Sequence, residues 1–489
     1  MPSGRPPVTG MVFASDGQGR SRAPSTPAPA LAALFPRRPH AIVPMKIAFV
    51  LSQFPAVSET FILSQITGMM DHGADVDILA STEIPQPVEH PALSAYGLRD
   101  RTRYAEGTPD GAWTARLRMA AFLGGALLRA PTGETPLDRL LRNGRDDARR
   151  ALEFSRTPRR VGEYDVIHCH FGPMGTLGMA MRNMGLIQGR LVTTFHGYDM
   201  CHPFQEQGPD VYERLFREGD LFLPISDYWK ERLIEHGCPE DRILVHRMGV
   251  DCDQFAWAER TREPGEPVRL LSVCRLVEKK GIEYAIRAVA RVLENGGASS
   301  VRGNGSADAS SGDAAPRIEY TIVGGGPLRP HLESLVDELG IPEAVTFAGS
   351  RRRDEVAKLM ANAHVFLAPS VTAADGNKEG IPVAIMEAMA TGLPVISSRH
   401  SGIPELVEDG VTGLLADERD VEGLAERLAR LLGEPGLHPR LAAAGRRRVE
   451  KEFNSPVLND RLMGLFRDLV GGRGADAGAT ASTSPVRGE

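Results

Sequence analysis

The chain has 489 residues, of which 42% are hydrophobic and 25% are charged, and its formal net charge is −6. This composition is typical of a globular protein with two or three domains and excludes fibrous and disorder-dominated classes. The negative charge argues against nucleic acid as a partner. Five scattered cysteines without a CxxC pair indicate a reducing compartment, and no apolar run is long enough for a membrane span, so we expect a cytoplasmic protein.

Three segments lack the apolar residues that a core needs. Residues 1–44 are rich in Pro, Ala, Ser and Arg, whereas Met45 opens the apolar run MKIAFVLSQFP, typical of a buried first strand. We therefore expect residues 1–44 to be a disordered extension, with Met45 as an alternative start. Residues 295–316 are predicted to be a flexible insertion and residues 471–489 a disordered tail.

Apolar runs of strand length alternate with helical patterns along the rest of the chain, which predicts an α/β protein with parallel sheets. The first set of predicted strands is KIAFVLS from residue 46, DVDILA from 75, DVIHCHF from 165, LVTTFH from 191, LFLPIS from 221 and ILVHRM from 243. The second set is RLLSVC from 269, IEYTIVG from 318, VTFAG from 345, VFLAPS from 365 and PVISS from 394.

Two Rossmann-like, doubly wound domains facing a central cleft are expected from this repetition. They occupy residues 45–254 and 268–454, joined by the polar linker 255–267, and residues 455–470 form a C-terminal helix that can return to the first domain. Since ligands of open parallel sheets bind beyond the carboxyl ends of the strands, the residues that follow each strand are the first candidates for the site.

The loops after the first two strands of the second set carry such candidates. Arg275 and Lys280 are two cations on one loop, which suits a diphosphate, although a solvated surface pair has the same pattern. The next loop, GGGPLRP, begins with Gly324 and Gly326, where small residues let the backbone approach a ligand. It is not a dinucleotide fingerprint, because Arg329 stands where GxGxxG requires glycine.

The segment NKEGIPVAIMEAMATGLP from residue 377 combines two carboxylates with a helix start. Pro382 suits the first helical position, so Glu379 lies just before the helix and Glu387 about one and a half turns inside it. Unpaired N–H groups at a helix N-terminus favour phosphate oxygens, and carboxylates accept hydrogen bonds from sugar hydroxyls. A nucleotide sugar has both groups; the alternative is a surface helix with two solvated glutamates.

Histidines follow two strands of the first set. His196, Gly197 and Asp199 come directly after LVTTF, and His168 and His170 end the run DVIHCH, so all three histidines are expected to face the cleft. The HCH spacing would also suit metal ligation, but no second Cys/His cluster lies nearby in sequence, and we predict no metal site.

These elements together resemble a retaining glycosyltransferase of the GT-B fold, in family four, over roughly residues 45–469. The resemblance rests on the E-x7-E unit Glu379…Glu387, the pair Arg275…Lys280, the GGGP loop, HGYD after a strand, APS at 368–370 and SGIPELVEDGVTGLL at 401–415. The first turn departs from many relatives, because SQFPAVSETF replaces a glycine-rich sequence. This variant is similar to bacterial exopolysaccharide enzymes of the colanic-acid type.

The resemblance implies a role for each motif residue. Glu387 would bind the ribose, Glu379 and His196 the donor sugar, and Arg275 with Lys280 the diphosphate. Amides at Gly380, Ile381 and Val383 would add bonds to the phosphates, and the base would pack near Gly324, Gly326 and the loop after Phe347. Ser58 would cap the first helix or face the donor or acceptor.

The family implies transfer of a hexose from a UDP-, GDP- or ADP-sugar, with retention of configuration and with no metal or other cofactor. The expected acceptor is a saccharide linked to polyprenyl diphosphate. Residues 116–150 mix apolar and basic side chains at helical spacing, which suits peripheral association with the cytoplasmic face of the inner membrane or a buried hairpin with an Arg-rich face. The alternatives are a GT-B nucleotide-sugar epimerase and a non-catalytic two-lobed solute-binding protein.

Overall fold

The computed structural model describes residues 44–56, 59–84, 90–105, 151, 154, 162–260, 265–299 and 317–472. The predictions for residues 1–43, for Ser58, for the segment 116–150 and for most of the insertion and of the tail concern residues outside these ranges. Two parallel sheets of six strands each form within the described ranges.

The strands of the first sheet are rich in Val, Ile, Leu and Phe, as expected where helices cover both faces. They are β1 (Lys46–Gln53), β2 (Asp75–Thr82), β3 (Thr102–Tyr104), β4 (Glu163–His170), β5 (Gln188–Phe195) and β6 (Leu221–Pro224). Their order is β3-β2-β1-β4-β5-β6, so the direction of winding reverses between β1 and β4.

The second sheet repeats this topology. Its strands are β7 (Val268–Val273), β8 (Ile318–Val323), β9 (Val345–Gly349), β10 (Val365–Ala368), β11 (Val395–Ser398) and β12 (Leu414–Ala416). Their order is β12-β11-β10-β7-β8-β9, and the reversal lies between β7 and β10. Because crevices for ligands open where the winding reverses, the loops after β7 and β10 are placed to bind one.

Helices cover the sheets. They are α1 (Thr60–Asp71), α2 (Pro91–Ala95), α3 (Gly172–Asn183), α4 (His202–Gln207), α5 (Glu213–Glu218), α6 (Asp227–Glu235), α7 (Ile282–Ser299), α8 (Arg329–Glu338), α9 (Arg353–Asn362), α10 (Val383–Ala390), α11 (Ile403–Leu406), α12 (Val421–Gly433), α13 (Leu437–Glu452) and α14 (Ser455–Val470). Short 3-10 turns occur at Tyr198–Met200, Glu240–Arg242 and Glu278–Lys280. Among the described residues, none of these helices has the length and hydrophobicity that crossing a bilayer requires.

The chain crosses between the two sheets twice, and the two crossings pair with each other. Val250 N–H donates to Phe453 O at 2.9 Å, and Ser455 N–H donates to Val250 O at 3.0 Å. Helix α14 then packs on the first sheet, where Leu462, Met463 and Phe466 are buried in the core of that sheet. The last helix is therefore part of the first domain in space.

One predicted strand is wrong, and the structure has three further details that the sequence did not predict. The run ILVHRM forms no strand; Leu244 and His246 only donate backbone hydrogen bonds to Phe222 and Pro224 of β6, and its apolar pattern reflects burial of Ile243. The short strands β3 and β12 have too few residues to show alternation and were not predicted. Helix α7 continues through Ser299, into the segment expected to be flexible.

Candidate active site

The segment that carries Glu379 and Glu387 forms a loop and then helix α10. Pro382 is the N-cap, with ψ 123°, and not the first helical residue as predicted, because that ψ is extended. The helix ends at Ala390, before Gly392, whose φ of 72° lies in the left-handed region. Met386 and Met389 are buried, which fixes the helix on the second sheet.

Glu379 is a buried carboxylate between two ammonium groups. Its side chain lies 2.7 Å from Lys280 Nζ through Oε2 and 3.0 Å from Lys279 Nζ through Oε1. Burial alone would raise its pKa, but the charges of Lys280 and Lys279 lower the pKa to about 2, so the group is ionised at neutral pH. In the described part of the chain Oε1 is buried and accepts no aligned hydrogen bond, so its partner there is the ammonium group of Lys279.

A histidine that sequence analysis missed holds the backbone of Glu379. The N–H of Glu379 donates to Nε2 of His400 at 3.0 Å, so neutral His400 carries its proton on Nδ1, which lies 2.6 Å from Glu418 Oε1. Glu418 in turn accepts a hydrogen bond from the N–H of Thr372 at 2.7 Å. His400 follows β11 by two residues, so the rule about carboxyl ends of strands could have found it.

Glu387 lies in the opposite electrostatic situation. Burial raises the pKa of this carboxyl to about 7, and Arg353, 4.0 Å away, opposes the shift only in part. Its side chain accepts no hydrogen bond from any described residue, and the guanidinium of Arg353 lies over the ring of Phe255 at 5.2 Å. Arg353 has no motif in the sequence that would have revealed it.

The loop after β7 brings cations to Glu379. Gly281 ends this loop with φ 63°, and a Cβ atom there would overlap the carbonyl oxygen of Pro369, so only glycine allows the loops after β7 and β10 to touch. That contact places Lys279 and Lys280 on the carboxylate. Arg275 is exposed, and its side chain makes no hydrogen bond or ion pair with the residues that the structure describes. It is free to meet an anion.

The glycines of the GGGP loop pack closely against the backbone of the loop after β7. A Cβ atom at Gly324, where φ is 130°, would overlap the carbonyl oxygen of Cys274, and one at Gly326 would collide with the backbone of Leu276. Neither glycine is among the described residues that line the cavity between the domains. Their contact with a nucleotide base stays a prediction.

The loop after β5 presents His196 from the first domain. Asp199 is buried and accepts hydrogen bonds from the N–H groups of His196, Gly197 and Gly172, each at 2.9 Å. Burial raises the pKa of Asp199 to about 6, while these bonds oppose the shift. The carboxylate thus joins the loop after β5 to the start of α3 and fixes the backbone of His196.

The prediction that His168 and His170 face the cleft is wrong. Both side chains are fully buried, and neither belongs to the described lining of the cavity. Their rings lie against Phe49 at 5.1 Å and 5.9 Å, and the ring of His168 meets Phe466 of α14 edge-on at 5.3 Å. Residues two apart share one face of a strand, and the contacts with Phe49 and Phe466 show that this face of β4 lies in the core.

A cavity of about 880 Å³ lies between the two domains, beyond the carboxyl ends of both sheets. The predicted site residues that line it are His196, Arg275, Lys280, Glu379, Gly380, Ile381 and Val383. A Cβ atom at Gly380 would lie 2.8 Å from His196 O and would overlap Ile225 Cδ1, so glycine lets the loop of Glu379 approach the first domain. The missed residue Lys279 lines the same cavity; its position beside Lys280 was the only signal.

Two family models cover the chain in sequence. The model described as Glycosyltransferase Family 4 matches residues 58–254, and the model described as Glycosyl transferases group 1 matches residues 253–448. The two matches meet at the first crossing between the domains. Each therefore corresponds to one of the two sheets.

Curated relatives match over nearly the full chain. The putative colanic acid biosynthesis glycosyltransferase WcaL of Escherichia coli K12 is 39% identical over 87% of this chain and all of its own length. The amylovoran biosynthesis glycosyltransferase AmsK of Erwinia amylovora is 38% identical with the same coverage. Among solved structures, Anabaena Alr3699/HepE in complex with UDP and glucose covers 87% of this chain and 100% of its own, with a TM-score of 0.60 at 18% identity.

The fold and the site define a two-domain GT-B enzyme with a cleft between Rossmann-like halves. The chain belongs to the family 4 glycosyltransferases.

Proposed function

We propose that this glycosyltransferase moves a hexose from a nucleoside-diphosphate sugar to a lipid-linked saccharide in the synthesis of an exopolysaccharide, with retention of anomeric configuration. The observation that carries the proposal is the ionised carboxylate of Glu379, held by Lys279 and Lys280 in a cavity that His196 lines from the other domain. A hydroxyl-rich anion fits this combination. The names of WcaL and AmsK support the assignment to polysaccharide synthesis.

Each group has a distinct role in the proposed reaction. Glu379 Oε1 accepts a hydrogen bond from a sugar hydroxyl, and Glu387 accepts bonds from the ribose hydroxyls. Arg275 and Lys280 stabilise the charge that develops on the departing diphosphate, a function for which no metal ion is invoked. His196 contacts the sugar from the first domain. Amides at Gly380 and beyond face the phosphates, as the N-terminus of α10 favours.

The proposed chemical step takes place on one face of the sugar. The bond between C1 and the diphosphate oxygen breaks, and the bond between C1 and the acceptor oxygen forms on the same side. The proton of the acceptor hydroxyl passes to an oxygen of the departing phosphate, so the protein supplies no general base. Positioning of both substrates and stabilisation of charge provide the acceleration.

A donor panel tests the proposal. The purified protein is incubated with UDP-, GDP- and ADP-hexoses and a polyprenyl-diphosphate-linked saccharide, with and without a chelator, and the anomeric configuration of the product is read by NMR coupling constants. One donor should give an acceptor-linked product with the configuration of the donor. Inverted product or loss of transfer with the chelator would contradict the mechanism, and isomerised donor without acceptor would indicate an epimerase.

A pair of carboxylate variants tests whether transfer requires the carboxylate in the cavity. Glu379→Ala should abolish transfer, whereas Glu426→Ala, at an exposed carboxylate of α12, should retain it.

Binding of the donor without turnover by the parent protein would indicate a solute-binding protein. Equal activity of free and lipid-linked saccharides would contradict the lipid-linked acceptor, and absence of cosedimentation with anionic vesicles would contradict association with the membrane surface.

A further inference from the structure

His170 is a fully buried polar side chain that the proposed mechanism does not use. It ends β4, and His196 follows the neighbouring strand β5, in which Thr194 pairs with His170. The two imidazoles meet there: His170 Nδ1 lies 3.0 Å from His196 Nε2. This is a hydrogen-bond distance, so one of the two nitrogens carries a proton and donates the hydrogen bond, and the other nitrogen accepts the bond.

Aromatic rings hold His196 on its other sides. The ring centroids of Phe171 and Phe61 lie 4.4 Å and 5.1 Å from that of His196. Phe171 has φ 73° and ψ 142°, a backbone conformation that costs a residue with a side chain about 1–3 kcal/mol and that tends to occur at functional sites. With Nε2 bonded to His170, Nδ1 is the ring nitrogen of His196 without a partner among the described residues, and it is the one left for a ligand in the cavity.

The surroundings of His170 indicate which of the two nitrogens carries the proton of the shared hydrogen bond. Burial lowers the pKa of His196 to about 3 and that of His170 well below its usual value, so both rings are neutral. His170 Nε2 is buried and has no hydrogen-bond partner in the described structure. A proton there would be a buried N–H without an acceptor, which native proteins avoid more strictly than an unused acceptor.

We propose that His170 is a positioning residue that donates its Nδ1–H to His196 Nε2 and thereby keeps the proton of His196 on Nδ1, directed to the ligand. His196 then donates a hydrogen bond from Nδ1 to an oxygen of the donor sugar. The hydrogen bond from His196 to the donor sugar rests on the proposed function, since it requires a nucleotide sugar in the cavity. The tautomer itself does not.

The tautomer is measured without substrate. In protein labelled with 15N-histidine, long-range proton–nitrogen correlation spectra distinguish Nδ1–H from Nε2–H, and the signals of His196 are those that disappear in His196→Gln. We expect Nε2 of His196 to be unprotonated in the parent protein. A proton on Nε2, or an even mixture of tautomers, would overturn the proposal even if no donor has been identified.

Kinetics of transfer test the consequence of that tautomer. His170→Phe keeps a ring in the core but removes the donor, and His170→Asn restores an N–H at the same number of bonds from Cα. We expect His170→Phe to raise the KM for the sugar nucleotide about tenfold while the Kd of the free nucleoside diphosphate changes less than about twofold. His170→Asn should recover most of the loss.

His168→Phe is the matched control, because His168 is equally buried on the same strand but bonds to Thr194 and not to His196. Although its ring packs against that of His170 at 4.4 Å, it makes no hydrogen bond to His196, so His168→Phe should leave the KM for the sugar nucleotide within about twofold of the parent value. An equal effect of His168→Phe and His170→Phe, or an equal loss of affinity for the free diphosphate, would show that packing alone is responsible. If the parent shows no transfer with any donor, the proposed function fails, and the tautomer measurement still decides the role of His170.

Discussion

Replacement of Glu379 by glutamine is expected to lower the free energy of unfolding by about 3 kcal/mol at pH 7. The magnitude follows from the pKa of the carboxyl, which is about 2 in the folded protein against 4.5 without its surroundings. One pKa unit corresponds to about 1.36 kcal/mol, so the difference of about 2.5 gives this value. Since the residue is 6% exposed, solvent screens little of the interaction with Lys279 and Lys280.

The pH dependence of this effect has a definite sign. The folded-state pKa lies below the unfolded value, so folding favours the ionised carboxylate. The stabilisation is fully present above about pH 4.5 and is lost as the pH falls toward 2, with about 1 kcal/mol left at pH 3. The difference between the parent and Glu379→Gln should therefore shrink over that range.

Glu387→Gln is the matched control on the same segment. Burial raises the pKa of Glu387 to about 7, so the ionised group costs stability as the pH rises from 4.5 to about 7. Glutamine removes that cost, and this variant should be at least as stable as the parent at pH 8. Two carboxylates eight residues apart on one segment thus give opposite results.

Scanning calorimetry from pH 3 to pH 8 measures both variants. For a domain of roughly 200 residues, 3 kcal/mol corresponds to a fall in Tm of about 6–12 °C. A difference between parent and Glu379→Gln below about 1 kcal/mol at pH 7, or one that does not shrink between pH 5 and pH 3, would refute the reasoning. Destabilisation by Glu387→Gln at pH 8 would do so too.

Three further substitutions test close contacts. Gly380→Ala should lower kcat/KM about tenfold by pushing the loop of Glu379 away from His196, measured by transfer rates; unchanged kcat/KM would contradict this. Gly281→Ala should cost about 1–3 kcal/mol through its left-handed φ and overlap with Pro369, measured by denaturant unfolding; a neutral result would show that the loops can separate. Glu405→Ala should cost about 1–2 kcal/mol, since its carboxylate accepts the first N–H groups of α6 across the cleft, whereas Glu408→Ala should be neutral.

The architecture was largely predictable because most of its strands coincide with apolar runs of strand length in the sequence. Ten of the twelve strands within the described ranges begin within three residues of an apolar run identified in sequence, and two such series indicate two domains. β3 and β12 have three residues each, too short for any periodicity to appear. ILVHRM has the composition of a strand but runs beside β6 with only two ladder bonds, a tertiary outcome that composition does not encode.

The site was predictable where a residue follows a strand in a recognisable motif. Lys280 and His196 line one cavity, as their positions after strands indicate, and Glu379 lines it from the loop before α10. Arg353 reaches Glu387 from α9, and His170 reaches His196 from the core, through contacts between elements far apart in sequence. Such pairings depend on how the elements pack, and a single sequence carries no mark of them.

The position of α14 affects the order in which the protein can be completed. Its apolar residues Leu462, Met463 and Phe466 fill a face of the first domain, yet they are synthesised after the whole second domain. A nascent first domain leaves the ribosome with that face uncovered, and a fragment ending near residue 260 would keep it exposed to aggregation. Final closure of the amino-terminal half thus waits for translation of the carboxyl-terminal one.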